Sequence, residues 1–494
     1  MATATKTTSK KKDESVNGFD RFFEITKRGS TWLTEVRGGV VIFMTMVYIV
    51  ILNPIILASQ SATDVDGNNL NFLAIGSATA LTAGIMSLLF GLIARLPFAL
   101  AAGLGINNFL AVTVVGQVSW PEAMGLVVID GVIIVILAVT GLRTMIFNAV
   151  PAALKTAITV GIGLFIAFIG LVDGGLIRRN GDDANTPVPV NWGVGADHLL
   201  SVPTLCFIIG VVVIAILMAL RVRAAILIGL VIATIVAIVL EATLHIGPKF
   251  SDAGFNPFGW DTTVPGLPTS IVATPDFSSV GQVDLFGAFG RIGALAGIML
   301  VFTLVFSNFF DAMGTMTGLS KQAGLADKKG HFPRLRAALI VEGAGAVAGG
   351  LTSTSSNTVY IESASGIAGG AKTGLASAVT GVLFLIAMFF TPLTSIVPIE
   401  VGASALVIVG GLMMAQVVDI DWKDWSIAFP AFAAIIVMPF SYSIANGIGV
   451  GFILWVILRA VAGKAKEIHW LLWVVAAGFL LYFILPYIQQ AIAA

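Results

Sequence analysis

The sequence predicts an all-α membrane protein that crosses the bilayer many times. Of its 494 residues, 57% are hydrophobic and only 11% are charged, whereas soluble domains carry about 25% charged residues. Many stretches reach the roughly 20 apolar residues that a membrane-spanning helix needs. The formal net charge is zero, so the composition gives no indication of a nucleic-acid partner. Composition and segment length together favour a polytopic helical protein.

Eleven regular apolar stretches and three less regular ones are candidate spans. The regular stretches are 38–58, 72–94, 96–118, 123–142, 156–173, 200–220, 224–244, 289–310, 373–396, 401–418 and 468–490. The less regular ones are 337–351, 357–368 and 427–459, and Pro439 and Asn446-Gly447 interrupt the last of these. We therefore expect about fourteen membrane segments, or fifteen if 427–459 contains two.

Positive charges near the ends of the spans indicate which loops face the cytoplasm. Lys and Arg concentrate in the N-terminal tail, in the loops 321–336 and 459–466, and at Arg95, Arg143, Lys155, Arg221 and Arg223. The loops 59–71, 174–199 and 245–288 are instead rich in Asp, Asn, Pro and Gly. We expect a multi-pass protein of the cell membrane with a cytoplasmic N-terminus and these three loops outside.

A weak internal repeat relates the two halves of the chain. The loop 245–288 divides the sequence near its middle, and 151–172 resembles 398–418 when Gly163 lies over Gly411. Seven spans before a central loop would give the two halves opposite orientations in the membrane. Such inverted repeats are typical of secondary transporters.

Two segments of the predicted membrane region have irregular, polar sequences. The tract 352–362, TSTSSNTVYIE, lies between apolar runs, and we expect an extended segment followed by a half-helix that starts near Tyr360. In the first half, 97–109 has a similar character and contains Asn107 and Asn108. Irregular backbone at membrane depth must lie inside protein or beside water. Interrupted segments at corresponding places of two halves indicate a central substrate site.

Asp311 is the most conspicuous charge inside an apolar span. Helical spacing places Ser307, Asn308 and Thr315 on the same helix face as Asp311. A charge at the centre of the bilayer costs at least about 2.5 kcal/mol, so Asp311 is expected to face the protein interior and to have a function.

Structural roles are the alternatives for these polar residues. Asp311 or Glu362 would then pair with backbone amides, and Asn107 and Asn108 would tie helices together. For Glu342, which lies in a glycine-rich span, support of helix packing and function are equally open.

The sequence contains no recognisable catalytic or metal-binding pattern. The four His have no metal-ligand spacing, and neither a Walker A loop nor a nucleophile–His pair is visible. We therefore predict neither an enzyme nor a metal site.

Three stretches resemble the AzgA-like purine permeases of the nucleobase–cation symporter-2 group. They are 38–54, 307–325 and 354–384. The specific motifs within them are Asp311-x-x-Gly314-Thr315 and Tyr360-x-Glu362-Ser363-Ala364-x-Gly366. The resemblance extends in pieces along nearly the whole chain after residue 20, and it is more distant to the uracil and xanthine members of the group.

The resemblance implies fourteen segments in two inverted repeats of seven, with interrupted third and tenth segments. It also implies a core domain and a gate domain, in which Asp311 and Glu362 hold the base and 97–109 forms the third segment. The implied division is a cytoplasmic tail 1–30, core 31–143 and 289–397, gate 144–245 and 398–494, and an extracellular loop 246–288.

The chain departs from these relatives at three places in the expected pocket. The third segment reads Ala-Ala-Gly-Leu-Gly-Ile-Asn-Asn at 101–108, where AzgA-like members usually read Ala-Pro-Gly-Met-Gly-x-Asn-Ala. Asn357 and Val359 stand where the family more often has Val and Ser. The choice among guanine, hypoxanthine, adenine, xanthine and uracil therefore stays open.

The sequence-based interpretation is a proton-coupled symporter that imports a purine nucleobase by alternating access. A carboxylate can accept two N–H bonds from a purine edge, and burial disfavours its charged form, so a buried carboxylate is expected to exchange protons near neutral pH. The expected substrate-binding residues are Asp311, Glu362, Asn107, Asn108, Asn308, Thr358, Tyr360 and Thr315. The expected proton-coupling residues are Asp311, Glu362 and Glu342.

Other interpretations differ in substrate or in class. A uracil or xanthine transporter on the same fold is the first alternative, followed by an anion transporter or a channel, and then by a membrane enzyme. No cofactor is expected besides the coupling proton. The expected partners are a purine base and the lipid bilayer, with a homodimer as one candidate assembly and no nucleic acid.

Overall fold

The computed structural model describes residues 18–59, 62–142, 149–179, 190–192, 201–251, 254–261, 263–268, 270–326 and 332–493. Most of the predicted N-terminal tail, parts of the predicted loops 174–199 and 321–336, and the predicted boundary between 143 and 144 lie outside the described residues.

The first half contains nine helices among its described residues. They are α1 (Gly18–Phe23), α2 (Trp32–Met46), α3 (Ile49–Leu57), α4 (Phe72–Ile93), α5 (Leu104–Phe109), α6 (Trp120–Thr140), α7 (Ala152–Asp173), α8 (Val202–Ala219) and α9 (Ala225–Leu244). A π-helical turn, Leu110–Val114, continues α5. The strands are β1 (Leu100–Ala102), β2 (Ile177–Arg179), β3 (Val190–Trp192), β4 (Phe250–Ser251) and β5 (Gly254–Phe255).

The second half repeats this order and adds one helix at its end. Its helices are α10 (Gly287–Ile292), α11 (Ala294–Gln322), α12 (Leu335–Leu351), α13 (Ser363–Ala368), α14 (Gly374–Ala387), α15 (Ile399–Met414), α16 (Trp425–Phe440), α17 (Ile444–Arg459) and α18 (Trp470–Ala493). Its strand is β6 (Asn357–Val359), and 3₁₀ turns follow α14 at Met388–Leu393 and α15 at Ala415–Asp419. A π-helical turn, Ala460–Lys464, and a 3₁₀ turn, Ala465–Glu467, follow α17.

Ten helices among the described residues are long and apolar enough to cross a membrane, with α2 and α3 forming one continuous span. Three shorter apolar helices accompany them, Leu104–Val114, Trp425–Phe440 and Trp470–Ile484. The predicted all-α polytopic class is therefore confirmed.

Polar residues at the ends of loops determine where several helices begin. The side chain of Asn71 accepts hydrogen bonds from two backbone N–H groups of the first turn of α4. Ser119 and Glu122 form a capping box on α6, with Pro121 in the first turn. Asp424 caps α16 in the same way. Such caps satisfy N–H groups that have no partner inside the helix.

The packing of the helices relates the two halves by an inverted repeat. Helix α4 packs against α14 while its counterpart α12 packs against α6. Likewise α7 packs against α16 while its counterpart α15 packs against α8. In the middle, β1 pairs antiparallel with its own counterpart β6. Each contact thus occurs twice with the halves exchanged, which is the pattern of two similar units in opposite orientation.

The glycines where α7 and α15 cross correct the alignment of the repeat. A Cβ on Gly163 would meet the carbonyl oxygen of Gly410, and a Cβ on Gly410 would meet the carbonyl oxygen of Gly163. Because this contact is reciprocal, Gly163 corresponds to Gly410. The sequence alignment with Gly411 is therefore wrong by one residue, since runs rich in Gly, Leu and Ala match almost equally well in neighbouring registers.

The central loop lies over one end of the first-half and second-half helices. The N–H of Asp284 bonds to the carbonyl oxygen of Pro121 at 2.9 Å, and that of Gly281 bonds to Leu351 at 2.8 Å. The N–H of Asp276 bonds to the hydroxyl of Ser77 at 3.2 Å. The loop therefore joins α4, α6 and α12 at their ends.

The helix α18 has no counterpart among the described residues of the first half. It packs against α17, where Phe479 stacks on Phe452 with ring centroids 6.3 Å apart. The repeat accounts for the segments from Trp32 to Arg459, and α18 follows it as a further apolar helix.

Candidate functional site

The polar tract of the second half lies inside the protein, as its sequence predicts. Residues 353–358 are at most 2% exposed. The amide of Asn53 donates to the carbonyl oxygen of Thr354 at 3.2 Å. The amide of Asn308 donates to the hydroxyl of Ser356 at 2.7 Å. The first membrane span of each repeat thus contributes an asparagine that holds this irregular backbone away from lipid.

The two interrupted segments meet as a short β-pair at the centre of the molecule. Ala101 in β1 lies opposite Thr358 in β6. The hydroxyl of Ser87 accepts from the N–H of Leu100 at 2.9 Å, and the hydroxyl of Ser363 accepts from the N–H of Ala99 at 3.0 Å. Serines from neighbouring helices therefore provide hydrogen bonds that a two-stranded pair lacks at its edges.

The second half-helix begins later than the sequence suggests. The N–H of Tyr360 donates to the carbonyl oxygen of Ala99 at 3.0 Å, and its hydroxyl donates to that of Ala102 at 2.5 Å. Tyr360 therefore extends the β-pair, and α13 starts at Ser363 with Glu362 at its N-cap position.

A central cavity with about 730 Å³ of empty space lies beside the β-pair. One side, which we call the core wall, consists of Tyr48, Gly103, Leu104, Gly105, Ile106, Ser307, Asp311, Thr315, Thr358, Val359, Tyr360, Ile361 and Glu362. The other side, the gate wall, consists of Thr159, Ile162 and Ile166 of α7 and of Val409, Leu412, Met413 and Gln416. The core wall is polar and the gate wall is largely apolar.

Asp311 faces this cavity from the middle of α11. Ser307 and Thr315 line the cavity one turn before and one turn after it, in agreement with the predicted helix face. Among the described residues, none donates a hydrogen bond to the Asp311 carboxylate. The carboxylate is close enough to Glu362 and Glu342 for the charges to interact. Its acceptor atoms are thus available to a ligand.

Glu362 faces the same cavity and is held by a tyrosine that the sequence analysis did not select. The hydroxyl of Tyr48 donates to Oε1 of Glu362 at 2.5 Å. Thr358 also lines the cavity, and its buried hydroxyl has no hydrogen-bond partner among the described atoms. The N-terminal turn of α5, from Leu104 to Ile106, also reaches the cavity. The core wall therefore offers two carboxylates, a hydroxyl and helix-terminal backbone.

Three of the expected binding residues are asparagines that do not line the cavity. The amide of Asn107 donates to the side-chain oxygen of Asn53 at 2.5 Å, and the amide of Asn108 donates to the carbonyl oxygen of Leu104 at 2.9 Å. Asn308 bonds to the carboxylate of Asp130 at 3.1 Å as well as to the polar tract. These amides therefore hold the interrupted segments in place.

Glu342 also lies outside the cavity. It is fully buried in α12, and its charge acts on Asp311 from behind the core wall. The structure therefore brings Asp311, Glu362, Thr315, Thr358 and Tyr360 together around the cavity, with Glu342 as a buried neighbour.

Three polar lining residues were missed by the sequence analysis, namely Tyr48, Thr159 and Gln416. Each is a polar or hydroxyl side chain within an apolar span, and this signal was present in the sequence. Polar side chains within apolar spans are common in this chain. Without knowledge of how each helix is rotated, this signal therefore could not select these three residues.

A second cavity, which we call the vestibule, adjoins the central one. It has about 1250 Å³ of empty space and lies between α13 and the connection from α8 to α9. Arg221 and Arg223 line it on one side. Ile361, Glu362 and Leu412 line both cavities. These three residues thus stand between the central cavity and a route to the side of the molecule that carries the arginines.

Comparison with known proteins places the chain in a family. A sequence profile described as "Permease family" matches residues 33–450. The chain belongs to this permease family. The permease is therefore a membrane transport protein and not an enzyme.

Curated relatives match the permease along nearly its whole length. The guanine/hypoxanthine permease PbuG of Bacillus subtilis is 39% identical over 466 residues, which cover 94% of this chain and 99% of the relative. The adenine permease AdeQ of Escherichia coli is 38% identical over 468 residues, which cover 94% and 96%. The resemblance to purine permeases noted from the sequence motifs is confirmed.

Solved structures share the fold of the permease at low sequence identity. The transmembrane domain of the cyanobacterial bicarbonate transporter BicA aligns with a TM-score of 0.59 at 14% identity, covering 85% of this chain and 97% of that one. Murine Slc26a9, an anion transporter in the inward-facing state, aligns with a TM-score of 0.57 at 12% identity, covering 93% and 74%. The predicted fold with two inverted repeats is confirmed.

Proposed function

We propose that the permease is a proton-coupled symporter that imports purine nucleobases of the guanine, hypoxanthine or adenine type by alternating access. The observation that carries the proposal is the pair of carboxylates, Asp311 and Glu362, on one wall of a cavity at the junction of the interrupted segments. The relatives named for guanine, hypoxanthine and adenine support the substrate class.

The chemistry of the core wall suits a neutral, planar base. Asp311 and Glu362 can accept N–H bonds from one edge of the ring, and hydrogen bonds to charged acceptors are the stronger kind. Thr315, which lines the cavity one turn after Asp311, carries a hydroxyl that can act as a donor or an acceptor for a further ring atom. On the opposite side, the aliphatic residues Ile162 and Val409 of the gate wall suit the apolar faces of the ring.

The same carboxylates support proton coupling. Two neighbouring, half-buried carboxylates on one wall of a cavity favour a state in which at least one holds a proton. If the base binds to one protonation state, proton movement and base movement are linked. Glu342, which is fully buried behind Asp311, is the third proposed participant. No cofactor besides the proton is part of this proposal.

The arrangement of cavities supports alternating access. The central cavity lies between elements of the predicted core and gate regions, so a relative movement of the two would change its openings. The vestibule beside Arg221 and Arg223 provides one such opening. We propose that this side is cytoplasmic, in the cell membrane with a cytoplasmic N-terminus. A homodimer is the proposed candidate assembly.

Uptake into proteoliposomes tests the proposal. Purified protein should accumulate radiolabelled hypoxanthine, guanine or adenine when the lumen is more alkaline than the outside, and a protonophore should abolish accumulation. Uptake that ignores the pH gradient and the protonophore would exclude proton coupling while leaving the substrate class intact. Competition by unlabelled purines and by uracil, under the same conditions, separates a purine carrier from a uracil carrier on the same fold.

A further inference from the structure

Gln416 is a polar residue on the otherwise mostly apolar gate wall. The cavity-facing residues of α15 and the turn after it are Val409, Leu412, Met413 and Gln416, which follow the spacing of one helix face. The first three are apolar. The fourth lies in the 3₁₀ turn Ala415–Asp419, at the end of this stripe. The gate wall therefore places one amide at the edge of the central cavity.

The amide of Gln416 is free to bind a ligand. Its side chain is half-buried, and among the described residues no group bonds to it. Thr159, the other polar residue of the gate wall, donates its hydroxyl to the carbonyl oxygen of Lys155 at 3.3 Å. Within the gate wall, Gln416 is thus the side chain that has both a donor and an acceptor unused.

The amide complements what the core wall offers. The carboxylates of Asp311 and Glu362 only accept hydrogen bonds when they are charged. A glutamine amide can donate and accept at once, and it pairs in a bidentate manner with N7 and the 6-amino group of adenine. In guanine and hypoxanthine the same edge carries two acceptors, O6 and N7, so one of the two bonds is lost.

We infer that Gln416 reads the edge of the purine that carries N7 and the 6-substituent, and that it favours a 6-amino purine over a 6-oxo purine. The inference rests on the proposed function and extends it to a residue of the gate wall. Because Gln416 lies in the turn after α15 and the carboxylates lie on the opposite wall, the base would bridge the two walls. Gln416 is thus a specificity-determining residue whose contact depends on the approach of the gate wall.

The test compares inhibition constants for unlabelled adenine and hypoxanthine against the radiolabelled purine that the parent protein carries. In Gln416→Leu, the adenine constant should rise relative to the hypoxanthine constant by about 5- to 150-fold, the effect of one bidentate pair. In Gln416→Glu, the carboxylate still accepts from a 6-amino group but repels the two acceptors of hypoxanthine. The ratio of the adenine constant to the hypoxanthine constant should therefore fall, in favour of adenine.

A matched control is Gln117→Leu, because Gln117 is exposed and its amide bonds to the carbonyl oxygen of Thr113. This variant should keep the parent ratio. An unchanged ratio in Gln416→Leu, a shift of both Gln416 variants in the same direction, or an equal shift in Gln117→Leu would overturn the inference alone. A parent protein that takes up no purine would overturn the proposed function, and the inference with it.

Discussion

At the scale of single residues, Asp311 and Glu362 have different surroundings although they share a cavity. Glu362 accepts a hydrogen bond from Tyr48, whereas among the described residues Asp311 has no donor. One carboxylate is therefore fixed in place, and the other keeps its lone pairs for the ligand or for a proton. Substitutions at the two positions should consequently have different effects.

Asp311→Asn is expected to abolish uptake almost completely. The substitution keeps the size of the side chain but turns an acceptor into a group that also donates, so the N–H groups of the base lose their partner.

Glu362→Gln should also stop uptake, yet retain part of the binding, because its amide oxygen can still accept from Tyr48. Uptake rates and binding of radiolabelled base to purified protein are the measurements.

Asp421→Asn serves as the control for both variants, since Asp421 is exposed and bonds only within its own loop. Uptake by Asp311→Asn within twofold of the parent would return Asp311 to a structural role. Undiminished binding in both cavity variants would place the base elsewhere.

Tyr48→Phe is expected to raise the KM for uptake by about tenfold. A hydrogen bond to a charged group contributes about 1.5–3 kcal/mol, and without it the Glu362 carboxylate is no longer held toward the base. The comparable variant Tyr482→Phe, on α18 and outside the cavity lining, should leave KM unchanged. A parent-like KM in Tyr48→Phe would mean that neighbouring groups hold Glu362 without this hydroxyl.

Asn107 illustrates what the sequence does and does not determine at this scale. The polar tract and Asp311 were predictable, because polar atoms at membrane depth must be covered by protein. Which side of a half-helix faces the cavity was not predictable, because 97–109 has too few turns to show a period. The structure turns Asn107 toward Asn53 instead, and Tyr48 and Gln416 toward the cavity.

Asn107→Ala is therefore expected to lower stability and to leave the ranking of bases unchanged. It removes the donor to the oxygen of Asn53, and a buried acceptor left without a partner costs about 1–3 kcal/mol. Thermal unfolding in detergent and competition among purines measure the two effects. A changed ranking at parent-like stability would return Asn107 to the substrate site.

At the scale of elements, the two interrupted segments are related by the repeat but carry different chemistry. In the β-pair, Ala101 lies opposite Thr358. Gly105 lies in the first turn of α5, and Glu362 is the N-cap residue of α13. Both positions line the central cavity. One half-helix therefore offers backbone where the other offers a carboxylate. The sequence predicted both interruptions, but it did not show that Gly105 lines the cavity together with Glu362.

Gly105→Ala is expected to slow transport several-fold because it inserts an atom between the core wall and the gate wall. A Cβ at this position would lie 2.9 Å from Cγ2 of Ile162 on α7, and such overpacking typically costs about 1–3 kcal/mol. The double variant Gly105→Ala with Ile162→Ala removes the clash and should recover part of the uptake rate. Gly116→Ala is the control, since a Cβ there would meet open space.

A parent-like transport rate in Gly105→Ala would contradict this interpretation, because the two walls would then not need to approach each other so closely. A rate that the second substitution fails to improve would move the effect from the contact with Ile162 to the backbone of α5.

At the scale of the whole molecule, the proposal of alternating access requires the core wall and the gate wall to move relative to each other. That the chain crosses the membrane many times was readable from hydropathy, and the interrupted segments from polarity. Which faces of α7 and α15 meet the core wall depends on packing between distant parts of the chain. Hydropathy along the sequence does not determine this packing. Ile361 and Leu412 line the central cavity, one on each wall, and they are 42% and 41% exposed.

Joining Ile361 to Leu412 should therefore stop transport. The sole native cysteine, Cys206, is first replaced by Ala, and Ile361→Cys and Leu412→Cys are added. A short bifunctional thiol reagent that links the two should abolish uptake, and a reducing agent should restore it. The control joins Ile361→Cys to Ala364→Cys, because Ile361 lies just before α13, Ala364 lies in its first turn, and both line the vestibule. This link adds the same bulk without tying the walls together, so uptake should persist. Mass spectrometry shows whether the Ile361–Leu412 link is complete. If fully linked protein still takes up the base at the parent rate, the base passes without movement of one wall against the other.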